Sequence, residues 1–176
     1  MKSVKISSKI FAAAAAVFII AAVFAIIWLM CAKPCLVLRD AETGRRYGAY
    51  ELQEGEPFSV TFVHSVNKSP VTEVYEVRDG DIYVTTCIYS TLGAGVATTL
   101  EEGQSYYIDE EGRWVLQGVD TRIDPLIYVV GTVSDHVLEL RGEAISLRTL
   151  CGRNSKVCFE MRRCLFYNDV GNDQEA

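Results

Sequence analysis

Beyond its first thirty or so residues, the chain has no segment in which apolar residues recur at the three-and-four spacing of an amphipathic helix. That absence rules out a helical bundle and any docking mode that lays a helix into a groove or onto nucleic acid. Histidine is nearly missing, with only His64 and His136 in 176 residues, and there is no C-x-x-C. Neither histidine stands at ligand spacing from a cysteine, so no metal site is expected and no cofactor is called for. There is no G-x-S-x-G elbow. The stretch LGAGVA at 92–97 lacks the third glycine and the following helix of a dinucleotide loop. Basic residues are also short: with Lys2, Lys5 and Lys9 set aside, 14 basic residues face 23 acidic ones, a net of −9. Nucleic acid and anionic lipid surfaces are poor partners for such a surface.

What the chain has in abundance is one apolar run. Residues 10–32 contain no charge and follow the three lysines. A bilayer core of about 30 Å needs roughly 20 apolar residues in a helix, whereas a signal-peptide core is nearer 7 to 15. The run therefore predicts a retained single-pass anchor rather than a cleaved signal. The lysines before it place residues 1–9 in the cytoplasm and the rest outside the cytoplasmic membrane. Cys31 is not read as a lipidation site, because Trp28-Leu29-Met30 puts bulky residues where a small one is needed.

Residues 33–167 read as one domain of short strands, with residues 168–176 as a polar tail. Strands are expected at 35–40 and 47–52, then at 58–64, 71–78 and 81–90, and again at 104–109 and 113–117, with a break at 120–125. Four more follow at 126–133, 136–141, 144–150 and 157–162. Short strands at even spacing with Gly and Asp at the turns predict an all-β fold, a small antiparallel β-sandwich or barrel-like domain behind one transmembrane helix.

The central stretch carries the unusual polar residues. Val60, Phe62 and His64 share one strand face, as do Val71, Glu73, Tyr75 and Val77 on the next strand. If those strands close over residues 65–70, His64 opposes Val71 and Phe62 opposes Glu73, which makes His64 and Glu73 diagonal neighbours. The Asp79-Gly80 hairpin then sets Tyr75 against Val84, Glu73 against Thr86 and Val71 against Ile88, leaving Cys87 on the opposite face. A carboxylate on an apolar face needs a partner, and His64 is the expected one. The pair serves either to lock the strand register or as a site. Ser65 cannot pass its proton to His64, because adjacent strand residues point to opposite faces. Gly93 and Gly95 form either a tight loop or an amide nest near His64. With His64 and a basic side chain, of which Lys68 is nearest, the loop would hold a carboxylate-sized anion. Arg78, Arg113 and Arg122 fall on other turns. Five cysteines lie beyond the anchor, and a hairpin centred on Asn154-Ser155 would set Cys151 across from Cys158 as the expected disulfide.

The segments FVHSVNKSPVTEVYEV and STLGAGV, behind a short N-terminal anchor, resemble a small bacterial family of unknown function found beside TAXI-type TRAP transporters, tripartite carriers that move organic acids on an ion gradient. The likeness runs over about residues 35–150, with Ala97 standing where the family pattern usually continues to a proline. The family's characteristic residues fall on His64, Ser65, Glu73, Gly93 and Gly95. The resemblance implies an exported protein beside a transporter, with a permease or solute-binding protein as partner, and no mechanism. The expected function is a non-catalytic accessory or binding module. The alternatives are an enzyme using Glu73 and His64 as an acid-base pair on a small anionic substrate, and a purely structural domain.

Overall fold

The computed structural model describes residues 8–91, 93 and 99–168. It opens with helix α1, Ser8–Cys31. The stretch from Ile10 to Cys31 is long and apolar enough to cross a membrane, and none of it is buried against the rest of the protein. Among the described residues, eleven strands follow: β1 Lys33–Asp40, β2 Arg46–Glu51, β3 Pro57–Val63, β4 Pro70–Arg78, β5 Asp81–Tyr89, β6 Ser105–Ile108, β7 Trp114–Arg122, β8 Leu126–Val129, β9 His136–Leu140, β10 Glu143–Ser146 and β11 Lys156–Cys164. A short helix, α2 Leu147–Cys151, lies between the last two.

The strands form two antiparallel sheets, one in the order β2-β1-β11-β8 and one in the order β10-β9-β3-β4-β5-β7-β6. Alternation turns Leu36 and Leu38 of β1, Val157 and Phe159 of β11, and Leu126 and Tyr128 of β8 toward Phe58, Val60, Tyr75, Val77, Val84, Leu138 and Leu140 of the larger sheet. This is the sandwich that the strand spacing predicts. Phe58 stacks between Tyr75 and Phe159, with ring centroids 5.1 and 6.3 Å away, so one aromatic column ties the two sheets together.

Several local expectations are corrected. The stretch 144–150 is not one strand, because β10 ends at Ser146, whose hydroxyl accepts from the Thr149 N–H at 3.0 Å and caps α2. Fully buried Leu147 anchors that helix. Cys151 therefore sits on a helix and not on a strand facing Cys158, and both are free thiols. The strand that starts at Trp114 does not stop at Gln117. It runs on to Arg122, with Gly118 at φ 75° and Asp120 at φ 46° absorbing the irregularity, and Arg122 pairs with Tyr83. Asn168, expected in the tail, bonds to β2: its N–H donates to Ala49 O at 2.7 Å, and its side-chain oxygen accepts from Ala49 N–H at 3.1 Å.

Candidate functional site

The β3–β4 connection decides the site. His64 N–H donates to Ser69 O at 2.9 Å and Lys68 N–H donates to His64 O at 2.9 Å, so the turn closes tightly around residues 65–68. Lys68 takes φ 53° to complete it. The strands consequently pair Val63 with Pro70, Phe62 with Val71 and Val60 with Glu73. The expected register is off by two residues. Its parity survives, because a two-residue slip keeps every side chain on its face, but the expected neighbour of Glu73 is lost. His64 lies beyond the end of β3, and its Nδ1 accepts from the N–H groups of Val66 and Asn67 at 3.3 Å each, organising the turn.

Glu73 finds other partners. Tyr75 donates its hydroxyl to the Glu73 carboxylate at 2.9 Å, Tyr128 of the facing sheet donates to the same oxygen, and the two hydroxyls stand 2.6 Å apart. Burial, reinforced by the neighbouring carboxylate, pushes both phenols far above their ordinary values, so they remain protonated donors. On the β4–β5 side, Tyr75 meets Val84 as expected, but a bulge between Val74 and Tyr75 then sets Glu73 against Cys87 and Val71 against Tyr89. Cys87 is thus buried on the Glu73 face, contrary to the unbulged register, and burial beside Glu73 raises its thiol to about 11. Cys87 is a core filler here.

Above this cluster lies a ring of aromatics. His136 opens β9 directly opposite Phe62. Its ring stacks on Phe62 at 5.3 Å and meets Tyr128 edge-on at 5.6 Å, while Phe62 and Tyr128 are 5.9 Å apart. His136 Nδ1 accepts from Gly131 N–H at 3.2 Å, which makes the neutral Nε2–H form the one that fits. Burial holds its pKa below the ordinary value, with nearby Arg148 adding to that and Asp135 and Glu73 opposing it.

Phe62 and His136 form the floor of a cleft of about 420 Å³ at the end of the sandwich, between the turn after β3 and the loop before β9. His64, Ser65 and Lys68 line one wall, and Gly131, Thr132, Val133 and Ser134 line the other. Among the described residues, no carboxylate lines it. Lys68 takes part in none of the ion pairs among the described residues. Gly131 is required by the second wall, since a Cβ there would meet Ser134 O at 2.3 Å.

Of the residues singled out in the sequence, His64 and Ser65 line this cleft, with Lys68 beside them. Glu73 lies beneath it, held by the tyrosines, and Gly93 backs the first wall, where an added Cβ would stand 2.7 Å from Asn67 Oδ1. Gly95 falls outside the described residues. Among the described residues, no cluster of three His, Cys, Asp or Glu is placed to hold a metal ion. The sequence reading missed His136, Gly131, Tyr75 and Tyr128 as site residues. His136 had a visible signal, a histidine starting an alternating strand, whereas Tyr128 joins Glu73 across 55 residues and leaves no local trace.

Comparison with known proteins agrees with an uncharacterised family. Neither the curated proteins nor the solved structures contain a match. A family model described as a domain of unknown function, DUF1850, matches residues 58–147, from the second residue of β3 to the first of α2, and so takes in both cleft walls and the Glu73 cluster. The chain belongs to the DUF1850 family.

Proposed function

We propose that this protein is a non-catalytic binding module tethered by α1 to the outer face of the cytoplasmic membrane, where it assists a TAXI-type TRAP organic-acid transporter by holding a small organic anion in its end cleft. The observation that carries this reading is the composition of the cleft. In a chain of net charge −6, its lining among the described residues has Lys68, His64, His136 and three hydroxyl side chains but no carboxylate. Its volume, about 420 Å³, falls in the range of small-molecule sites. Phe62, Val63 and Val133 add apolar surface for a short carbon skeleton. The resemblance of the FVHSV, SPVTEV and LGAG segments supplies the transporter context, and a single apolar helix supplies the tether, which raises the effective concentration for a membrane partner.

The acid-base alternative lacks its geometry: Glu73 is engaged by two phenols below the cleft, and His64 Nδ1 is engaged by loop amides. That engagement supports a structural role for Glu73, locking β4 to β8 across the sandwich. The reading is tested by purifying the tagged full-length protein from its native membranes beside a Lys68→Glu variant. Transporter subunits identified by mass spectrometry with the wild type, and reduced in the folded variant when the organic acid is supplied, support it. Their absence from both preparations overturns the transporter assignment.

A further inference from the structure

The fold brings two cysteines together at the foot of the domain. Cys35 lies near the start of β1 and Cys164 ends β11, and these antiparallel strands pair Lys33 with Cys164 and Cys35 with Arg162. Cys164 is therefore the diagonal neighbour of Cys35, and alternation points both side chains away from Leu36 and Leu38, onto the outer face of the smaller sheet. That face carries a small core of its own. Cys35, Val37 and Ala49 are fully buried in it, with Cys164 and Tyr167 packed over them. Both are free thiols in this structure, and the Cys35 thiol donates to Lys33 O at 3.5 Å, on the strand position paired with Cys164.

Of the other four cysteines, Cys31 is exposed at the end of α1, Cys87 is in the main core, Cys151 is on α2, and Cys158 is six residues before Cys164 on the same strand, about 20 Å away. Both partners also lie outside residues 58–147, the stretch that the family model matches. Next to Cys164, Arg163 donates to the Leu29 and Ala32 carbonyls where α1 ends, and the segment after it carries Asn168 to its bonds with Ala49. This corner is where the anchor, the first strand and the last strand meet.

We infer that Cys35 and Cys164 close a disulfide that fastens the last strand of the domain to the first, directly beside the membrane anchor. The inference rests on the proposed placement of the domain outside the membrane, where disulfides persist. Closure needs an oxidant, a thiol-disulfide oxidoreductase carrying its own disulfide. Cys164, half-buried and so within reach, attacks as thiolate one sulfur of that disulfide, forming a mixed disulfide and releasing one carrier thiol. Cys35 then gives up its proton and attacks the Cys164 sulfur, expelling the second carrier thiol. Two protein thiols lose two electrons, one carrier disulfide gains them, and the two protons end on the carrier thiols. Burial raises the Cys35 thiol to about 11, so the closing step draws on a small thiolate fraction and should quicken about tenfold per pH unit through the neutral range.

The test uses the full chain in its own membrane. Membranes are dissolved directly into denaturant containing an alkylating reagent, so that every free thiol is blocked, buried ones included, and the unreduced protein is digested and mapped by mass spectrometry. In parallel, protease added to right-side-out vesicles reports which side the domain occupies. The expected result is one linked peptide pair, Cys35 with Cys164, with Cys31, Cys87, Cys151 and Cys158 alkylated, and full alkylation of Cys35 in a Cys164→Ser variant. Alkylated Cys35 in a wild-type domain that the protease reaches overturns the disulfide. Alkylated Cys35 in a domain the protease does not reach overturns the outward placement and the disulfide with it. Cys35 linked to any other cysteine overturns the pairing.

Discussion

Replacing Tyr128 by Phe removes one oxygen atom and tests how Glu73 is tolerated on an apolar face. In the native protein that hydroxyl donates to the Glu73 carboxylate and stands 2.6 Å from the Tyr75 hydroxyl. The ring is otherwise packed against Phe62, His136 and Phe159, contacts that Phe keeps. The change therefore isolates one charge-assisted hydrogen bond, for which about 1.5 to 3 kcal/mol is the ordinary scale. Tyr75 still donates at 2.9 Å, so the expected loss is the middle of that range, about 2 kcal/mol, or roughly 30-fold in the folding equilibrium. Removing both hydroxyls in the Tyr75→Phe, Tyr128→Phe double variant takes away both donors, and the cost should exceed the sum of the single losses, reaching about 5 kcal/mol. Urea unfolding of the full-length protein in detergent, followed by Trp114 fluorescence in a Trp28→Phe background, measures both. Single and double variants within about 0.5 kcal/mol of the wild type would mean that water satisfies Glu73, and the argument for a structural lock would fail.

Other consequences follow from the same geometry. His136 is held neutral in the folded state with its pKa below 6.5, so the unfolded chain binds more protons below that pH. The His136 contribution is fully present above about 6.5 and is lost as pH falls through the lower folded value; the unfolding midpoint should decline over that window and decline less in His136→Asn. Gly93→Ala would press on Asn67 at 2.7 Å and displace the first cleft wall, so anion binding should weaken several-fold while the unfolding midpoint moves little. Gly118→Ala is the opposite case. Its φ of 75° and a contact of 2.3 Å with Gly103 O should make it one of the most destabilising single changes, about 3 kcal/mol or more by the same unfolding assay.

How far these features could be read from the chain depended on whether their cause is local. The Asp79-Gly80 turn takes φ 53° and 79°, the geometry that its dipeptide announces, and Tyr75 duly meets Val84. Two residues further along the pair, the reading fails: the bulge at Val74 and Tyr75 is set by tertiary packing, and it moves Cys87 onto the face of Glu73. The β3–β4 register differs by two residues from the one that a turn over residues 65–70 implies, because Pro70 begins β4 and Ser69 closes the turn on His64. The site was legible to the same degree. Period-two parity put Glu73 on an apolar face and required a partner, and the need was real. The partner proved to be Tyr128, from a strand whose position in the other sheet no local pattern specifies. The helix at Leu147 was hidden by its brevity, since five residues give too few positions for a helical period to show.

The central claim is that the end cleft holds a small organic anion, and direct binding tests it most plainly. Isothermal titration of a series of short mono- and dicarboxylates into the full-length protein in detergent, beside Lys68→Glu and the distant Arg78→Glu, should find one acid that binds. The account predicts that Lys68→Glu abolishes this binding at unchanged stability and that Arg78→Glu preserves it. Binding that survives Lys68→Glu, or no binding across the series, would contradict it.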